Sequence, residues 1–171
     1  MKIIAAIVTY NRSALLSRCI DNILMQSRMP DEIVVINNGS TDDTEDMLRS
    51  RGIRCITQEN VGSAGGWHRA ISISIEENFE AVWLMDDDGF PHKNALLHLE
   101  KELRPTVACA ASLVLQENKP DRFVFDMPKL NQSNLPIIFS LTRKYSTISA
   151  LEVNSQGGIY KFAQLFNGAL I

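Results

Sequence analysis

The chain has 171 residues, of which 45% are hydrophobic and 22% charged, and its formal net charge at pH 7 is −3. This length and composition are typical of one globular domain with a hydrophobic core. The mild acidity and the lack of a Lys- and Arg-rich run exclude a typical nucleic-acid-binding surface, and no apolar window has the length of a membrane-spanning helix. The three cysteines lie far apart in apolar segments, which indicates the reduced core thiols of a soluble, cytoplasmic protein.

Apolar segments with the length of buried strands alternate with helical patterns along the first 115 residues. The predicted strands are 3–8, 32–36, 53–57, a run that begins at Ala81, and 107–115. The predicted helices begin at Ser13, at a cap formed by Ser40 or Thr41, after the glycines of 62–66, and at Pro91. This alternation predicts an α/β fold with a mostly parallel central sheet and helices on both faces.

The regular alternation stops after residue 115. Prolines, polar patches and short apolar runs predict an irregular excursion or a small hairpin region over 117–149, and 159–166 is predicted to form a strand. The chain then ends on apolar residues without a polar cap. A strand at this end needs a partner to cover it, and we therefore expect a chain truncated at its C-terminus.

Three consecutive aspartates, Asp86, Asp87 and Asp88, follow the fourth predicted strand. Like charges in a row repel one another unless they stay hydrated or a cation lies among them. The alternation of side chains along a strand predicts that Asp86 and Asp88 point together while Asp87 points away. Two carboxylates with no cysteine nearby suit Mg²⁺ or Mn²⁺, and the alternative is a solvated acidic turn.

Polar residues follow each of the first four predicted strands, in the segments 9–12, 37–40, 58–60 and 86–88. Ligands of open α/β sheets bind beyond the carboxyl ends of the strands. A single polar strand end is weak evidence for a binding site, but four at one edge of the sheet predict a ligand site. At this edge Tyr10 could stack on a base, and an Asn37 or Asn38 amide could hydrogen-bond to the base or to a ribose.

The glycines of 62–66 allow a ligand to approach the backbone at the start of a helix, where N–H groups favour phosphate. Arg12 and Arg69 could hold a diphosphate through bidentate hydrogen bonds. Each feature has a structural alternative. These are a turn at 38–39, a tight strand–helix junction at 62–66, and arginines that are simply on the surface.

Four segments, taken in their order and spacing, resemble a family 2 glycosyltransferase of the GT-A fold. They are 8–12 (VTYNR), 36–42 (INNGSTD), Asn60-x-Gly62 and 86–88 (DDD). The resemblance covers about 2–103 and returns at 166–169 (FNGA). Within this family, 60–69 (NVGSAGGWHR) is most similar to the galactofuranosyl- and rhamnosyltransferase-like branch.

The motifs and the resemblance together give a set of expected site residues. The expected donor-binding residues are Thr9, Tyr10, Asn11, Arg12, Asn37, Asn38, Asn60, Gly62, Gly65, Gly66, Arg69, Asp86 and Asp87. Asp86 and Asp88 would form the D-x-D pair that holds Mn²⁺ or Mg²⁺. The family's general base normally lies well after the Asn-Gly-Ala strand, so we expect it beyond Ile171 and assign the role to neither Asp121 nor Asp126.

The resemblance implies a metal-dependent, inverting transfer of a sugar from a nucleotide-diphosphate sugar, UDP- or dTDP-linked, to an acceptor hydroxyl. The acceptor would be a glycan or a lipid-linked molecule of bacterial cell-surface polysaccharide synthesis, and peripheral attachment at the inner membrane face is compatible with that role. Residues 1–115 would form the donor-binding core. Residues 116–171 would be an irregular segment and the start of the acceptor-side region of the same, incomplete domain.

Three other functions are compatible with parts of the sequence. A nucleotidyltransferase also uses an α/β sheet and acidic metal ligands, but it usually has a glycine- and basic-rich loop after its first strand, whereas 9–12 contains no glycine. A Rossmann-like dinucleotide module expects G-x-G-x-x-G at that place and gives no reason for three aspartates. The last alternative is a donor-binding fragment that does not catalyse transfer.

Overall fold

The computed structural model describes residues 1–125, 127–132, 138–139, 144–145, 147–155 and 168–171. Met1–Ser112 and residues 168–171 form one compact unit, and the described residues from Leu113 to Ser155 form another. In chain order the elements are β1 (Ile3–Thr9), α1 (Ser13–Leu24), β2 (Glu32–Asn37), α2 (Thr44–Ser50), β3 (Arg54–Thr57), α3 (Gly62–Glu76), β4 (Ala81–Asp86), α4 (Ala95–Glu102), β5 (Ala110–Ala111), β6 (Leu115–Gln116), β7 (Lys119–Phe123), β8 (Met127–Pro128), β9 (Ile138–Phe139), β10 (Lys144–Tyr145), β11 (Thr147–Ile148), α5 (Ala150–Ser155) and β12 (Ala169–Leu170).

The first unit is built on a six-stranded sheet in the order β3-β2-β1-β4-β12-β5. Strands β1 to β4 run parallel, and β12 is antiparallel to both β4 and β5. The prediction of a mostly parallel sheet is therefore confirmed. Because β12 pairs on both sides, the apolar C-terminal residues find their cover within this chain.

The predicted fifth strand, 107–115, is wrong in extent. Only Ala110–Ala111 joins the sheet, and β12 separates it from β4. Val107 instead closes a turn by donating its N–H to the carbonyl oxygen of Arg104, at 2.8 Å. The small side chains of 108–112 offer little surface for packing on a sheet, which explains why the strand is so short.

The core lies on both faces of this sheet, because every residue of β1 is buried. Ile3, Ala5 and Ile7 face one apolar cluster, which includes side chains of α1 and α4, and Ile4, Ala6 and Val8 face a second cluster with side chains of α3. Helices therefore cover both faces, as predicted. Within the described residues, no helix has the length and apolar character needed to cross a bilayer.

Three predicted helix starts are wrong. Helix α3 begins at Gly62, so the glycines of 62–66 lie within its first two turns rather than before it. Neither Ser40 nor Thr41 caps α2, which begins later, at Thr44, where Asp42 Oδ1 accepts hydrogen bonds from the Thr44 N–H and hydroxyl, at 3.2 and 2.6 Å. Helix α4 begins at Ala95 rather than at Pro91. The start of α1 at Ser13 is confirmed.

The second unit contains short antiparallel pairs, β6 with β7, β8 with β11 and β9 with β10. They agree with the hairpin region predicted after residue 116. Met127, Ile148 and Val153 form a small buried cluster of this unit. The strand predicted over 159–166 lies outside the described residues, and the assignment of 1–115 and 116–171 to donor and acceptor sides stays a prediction.

Candidate functional site

The carboxyl ends of the central strands meet at one edge of the sheet. Strand β1 lies between β2 and β4, so Thr9 pairs in register with Asn37, and Val8 pairs with Asp86. This topology brings together three of the four polar strand ends, and the end of β3 follows beside β2, where Thr57 pairs with Asn37. The four polar segments therefore share one edge, as their order in the sequence predicted.

Asp87 turns inward at this edge. The residue is only 4% exposed, and its carboxylate accepts a hydrogen bond from Thr9 Oγ1 at 2.8 Å and one from Arg12 Nη1 at 3.2 Å. Burial raises the pKa of the Asp87 carboxyl, and the hydrogen bond from Thr9 and the charge of Arg12 oppose that shift. Asp87 therefore ties the end of β1 and the following loop to the end of β4.

The strand-alternation argument for the three aspartates does not extend past Asp86. Strand β4 ends there, and the Gly89 N–H donates to the Asp86 carbonyl oxygen at 3.0 Å, which closes a turn. The Asp88 side chain is half exposed, and its Oδ2 lies 3.3 Å from the same Arg12 Nη1 that contacts Asp87. The positive charge of Arg12 thus lies against both aspartates of the turn, and the charge of Asp87 is the largest cause that raises the Arg12 pKa.

Asp86 is the carboxyl group with the most perturbed ionisation at this edge. Burial, followed by the charges of Asp88 and Asp87, raises its pKa to about 6. Among the described residues, none donates a hydrogen bond to its carboxylate, so its charge is not compensated there by a hydrogen bond. A bound cation would stabilise the ionised form of such a carboxylate, because it offsets both the cost of burying the charge and the repulsion between like charges.

The carboxylate oxygens at this edge suit a divalent metal ion that is also coordinated by a phosphate ligand. Within the described parts of the chain, no group of three or more His, Cys, Asp or Glu side chains could hold a metal ion. Asp86 and Asp88 supply two carboxylates only. Mg²⁺ and ions like it are commonly held by one or two carboxylates, with water and substrate phosphates completing the coordination. The assignment of Asp86 and Asp88 as metal ligands stays a prediction.

The affinity for Mn²⁺ is expected to depend on the ionisation of Asp86. Below its pKa of about 6 the carboxyl is protonated, and a metal ion must displace that proton before it binds. We expect the apparent affinity to fall by about tenfold for each pH unit below this pKa and to be flat above it. Titration of Mn²⁺, followed by electron paramagnetic resonance on both sides of the pKa, measures this profile. An Asp86→Asn variant should lack the bend, and a wild-type affinity that is constant across the range would contradict the prediction.

Asn37 and Asn38 are buried, and both amides are engaged within the protein. Asn37 Oδ1 accepts from the Ser40 N–H at 2.9 Å, and its Nδ2 lies 3.3 Å from acceptors on Glu45 and Thr57. The Asn38 amide bridges two segments, since its Oδ1 accepts from Gln58 Nε2 at 2.8 Å and its Nδ2 donates to the Gly62 carbonyl oxygen at 3.3 Å. The structure therefore gives both residues a part in shaping the edge, and contact with a base stays a prediction.

The glycines of 62–66 form a tight junction between the sheet and α3. Gly62 has φ +80° and donates its N–H to Asn60 Oδ1 at 3.0 Å. Gly66 is buried, and a Cβ there would lie 2.5 Å from Val8 Cγ1 and 3.3 Å from Asn38 Nδ2. A Cβ at Gly65 would lie 2.2 Å from Val61 Cγ2. A tight strand–helix junction, the structural alternative for 62–66, is therefore present, and it places the start of α3 against the ends of β1 and β2.

The remaining expected donor-binding residues differ in their surroundings. Tyr10 is 47% exposed beside the edge, as a stacking platform would be. Asn11 has φ +53° and contacts the loop after β2 rather than the aspartates. Arg69 lies seven residues after Gly62, about 10 Å further along the helix axis, and pairs with Glu76 at 3.7 Å. In the described residues it makes no contact with the aspartates.

Several residues that shape this edge are not evident from the sequence. Ser40, Thr41 and Asp42 belong to the motif 36–42, but their contacts with Asn11 in the loop after β1 were not predicted. Gln58 and Glu45 were not singled out for the contacts that they make with the asparagines of β2. The polar run that ends β2 was the only signal, and it does not reveal partners about 30 residues away.

Several known proteins are similar to this chain. The family model described as Glycosyl transferase family 2 matches residues 4–159. Galactofuranosyltransferase GlfT1 of Mycolicibacterium smegmatis is 26% identical over 170 residues, which are 97% of this chain and 54% of that protein. Glycosyltransferase GlyG of Streptococcus pneumoniae is 24% identical over 162 residues, 90% of this chain and 49% of that protein. The chain thus spans about half the length of these curated relatives.

Solved structures also resemble part of this chain. The mannosyltransferase PcManGT from Pyrobaculum calidifontis, in complex with GDP-Man and Mn²⁺, has a TM-score of 0.55 and 27% sequence identity, and the match covers 67% of this chain and 36% of that one. Glucosyl-3-phosphoglycerate synthase from Mycobacterium tuberculosis, in complex with UDP, has a TM-score of 0.57 at 22% identity, over 68% of this chain and 45% of that one. The second likeness concerns the fold alone.

Proposed function

The chain belongs to glycosyl transferase family 2 and has the GT-A fold, and from this premise we propose that it binds the nucleotide-sugar donor of an inverting, metal-dependent glycosyltransferase. The observation that carries the proposal is the meeting of the Asp86–Asp88 turn with the loop after β1 at the carboxyl edge of the sheet. That edge is where open α/β sheets bind their ligands.

Different residues of the edge would bind different parts of a nucleoside diphosphate. Asp86 and Asp88 are the oxygen ligands for Mn²⁺ or Mg²⁺, and Asp87 holds Arg12 beside them through the 3.2 Å contact. Tyr10 offers its exposed ring to the base, and the first turn of α3 offers the positive end of a helix dipole to the phosphates. When bound, the metal ion would supply positive charge that stabilises the departing diphosphate.

Transfer also needs a general base that deprotonates the acceptor hydroxyl. The proposal assigns this role to no residue of 1–171. Asp121 is exposed on β7, in the second unit, and Asp126 lies outside the described residues.

The donor and acceptor classes are the finer part of the proposal. The similarity to GlfT1, named a galactofuranosyltransferase, supports a sugar as the transferred group. We propose that the donor carries this sugar on UDP or dTDP. We propose a glycan or lipid-linked acceptor in bacterial cell-surface glycan synthesis, with the protein in the cytoplasm and peripheral at the inner membrane face. PcManGT, solved with GDP-Man, is a reason to include GDP in the test.

Calorimetric titration of the chain with UDP, dTDP and GDP, each with and without Mn²⁺, tests the proposal. We expect at least one nucleoside diphosphate to bind and to bind more tightly with the metal. ATP and UTP are the comparison ligands, because a nucleotidyltransferase should prefer triphosphates. A chain that is folded by circular dichroism but binds none of the diphosphates would contradict the proposal, as would a clear preference for triphosphates.

A further inference from the structure

Two loops at the carboxyl edge are joined by hydrogen bonds that run in both directions. The first loop, residues 10–12, follows β1, and the second loop, residues 38–43, follows β2. The Asn11 N–H donates to Ser40 Oγ at 2.9 Å. In return, the Thr41 N–H donates to Asn11 Oδ1 at 2.7 Å, and the Asp42 N–H lies 3.4 Å from the same oxygen. The Asn11 side chain thus accepts hydrogen bonds from backbone N–H groups of the second loop, while the Asn11 backbone N–H is bound by a side chain of that loop.

The start of α1 extends this connection. The Ser13 N–H donates to Asp42 Oδ2 at 3.2 Å, and the Ser13 hydroxyl donates to Asp43 Oδ1 at 2.5 Å. Burial would raise the pKa of the Asp42 carboxyl, but hydrogen bonds from Thr44 and from the Ser13 N–H outweigh it and lower that pKa. We call the contacts of Asn11 and Ser13 with Ser40, Thr41, Asp42 and Asp43 the loop clamp.

The backbone of Asn11 is in a conformation that needs support. Its φ of +53° lies in the left-handed region, and among the described residues only Asn78, with φ +56°, is another non-glycine residue with positive φ. Asparagine tolerates this region better than most residues, but it still carries a cost that the surrounding contacts must offset. The loop clamp supplies those contacts, so the turn between Tyr10 and Arg12 is held in one shape.

We propose that Asn11 is a positioning residue, which acts through the loop clamp to place Tyr10 and Arg12 for the nucleotide, and that its side-chain amide does not itself bind the donor. The inference rests on the proposed function, since it takes the two flanking residues to border the nucleotide. It differs from the expectation that Asn11 contacts the donor, because Oδ1 and the backbone N–H already have partners in the second loop. Without the clamp, binding would have to order the first loop as well, and affinity would fall.

Two substitutions at Asn11 separate positioning from direct contact. Asn11→Gly keeps a residue that accepts positive φ but removes the acceptor oxygen, whereas Asn11→Asp keeps an acceptor and removes the amide NH₂. Asn78→Gly is the matched control, because it makes the same change at the same backbone conformation, just after α3. The readouts are amide hydrogen exchange at Thr41 and Asp42, affinity for the nucleoside diphosphate that the wild type binds, and the midpoint of thermal unfolding.

We expect Asn11→Gly to accelerate exchange of the Thr41 and Asp42 amides and to weaken nucleotide binding by about 3- to 10-fold, the fold-change that corresponds to one or two lost hydrogen bonds. The thermal midpoint should stay close to that of Asn78→Gly, which should bind as the wild type does. Asn11→Asp should keep slow exchange and recover most of the affinity at high ionic strength, where its added charge is screened.

Two results would overturn the inference. One is wild-type nucleotide affinity or unchanged amide exchange in Asn11→Gly. The other is an Asn11→Asp variant that keeps its loop amides protected but loses as much affinity as Asn11→Gly at high ionic strength, since the Asn11 amide would then contact the ligand directly. Failure of the wild type to bind any nucleoside diphosphate would count against the proposed function instead, and the exchange data would still report on the clamp.

Discussion

Replacing Asp88 with alanine is expected to abolish the tightening of nucleotide binding by Mn²⁺. Asp88 and Asp86 are the two carboxylates that the turn after β4 offers to a metal ion, and loss of one of two protein ligands should reduce metal affinity by about 100-fold or more. The stability cost should be small, because the Asp88 side chain is 50% exposed and its contact with Arg12 is 3.3 Å long. Nucleotide titration with and without Mn²⁺ measures the effect.

Asp46→Ala is the matched control for this substitution. Asp46 is also an exposed aspartate paired with an arginine, at 2.8 Å from Arg49, but it lies on α2 rather than on the turn after β4. It should leave the metal dependence intact. An Asp88→Ala variant that still gains the full affinity from Mn²⁺ would show that the ion lies elsewhere.

The second large effect is expected at Gly66, where an added methyl group should destabilise the fold. A Cβ at this position would lie 2.5 Å from Val8 Cγ1 and 3.0 Å from Val8 Cγ2. Val8 is 7% exposed on the central strand and has a stiff, β-branched side chain, so it cannot move aside easily. We expect Gly66→Ala to cost about 1–3 kcal/mol and to lower the thermal midpoint by roughly 4–10 °C, although alanine favours the helix more than glycine does.

A double-mutant cycle tests this explanation. Val8→Ala removes both atoms that the new methyl group would meet, so Gly66→Ala should cost clearly less in that background than in the wild type. Ala64→Gly, at an exposed position of the same helix, reports the propensity difference alone. Equal stability of Gly66→Ala and wild type would mean that α3 does not pack on β1 as closely as described.

The sequence was sufficient for the part of the fold that depends on local pattern. The apolar runs at Ile3–Thr9 and Ala81–Asp86 are long and buried on both faces, so their strand character and parallel pairing could be predicted. The position of β12 in the sheet could not be predicted from the sequence. Two residues near the C-terminus pair with Ala110–Ala111 and with β4, more than 50 residues away, and no local periodicity encodes such a pairing.

The candidate site could be located from the sequence, but its internal contacts could not. Parallel topology alone brings the polar strand ends to one edge. The inward turn of Asp87 depends on where β4 ends and on a hydroxyl from Thr9, and the role of Asn11 depends on a left-handed backbone and a facing loop. Contacts between segments about 30 or 75 residues apart are properties of the assembled fold, and residue types alone do not specify them.

The most direct test of the central claim is crystallography of the chain with Mn²⁺ and the nucleoside diphosphate that it binds, with data collected to locate manganese by anomalous scattering. We expect one manganese peak within coordination distance of carboxylate oxygens of Asp86 and Asp88 and of a phosphate oxygen of the nucleotide. The nucleotide should lie against 9–12. A manganese ion that binds away from the turn after β4, or a nucleotide that binds away from this edge of the sheet, would contradict the proposed donor site.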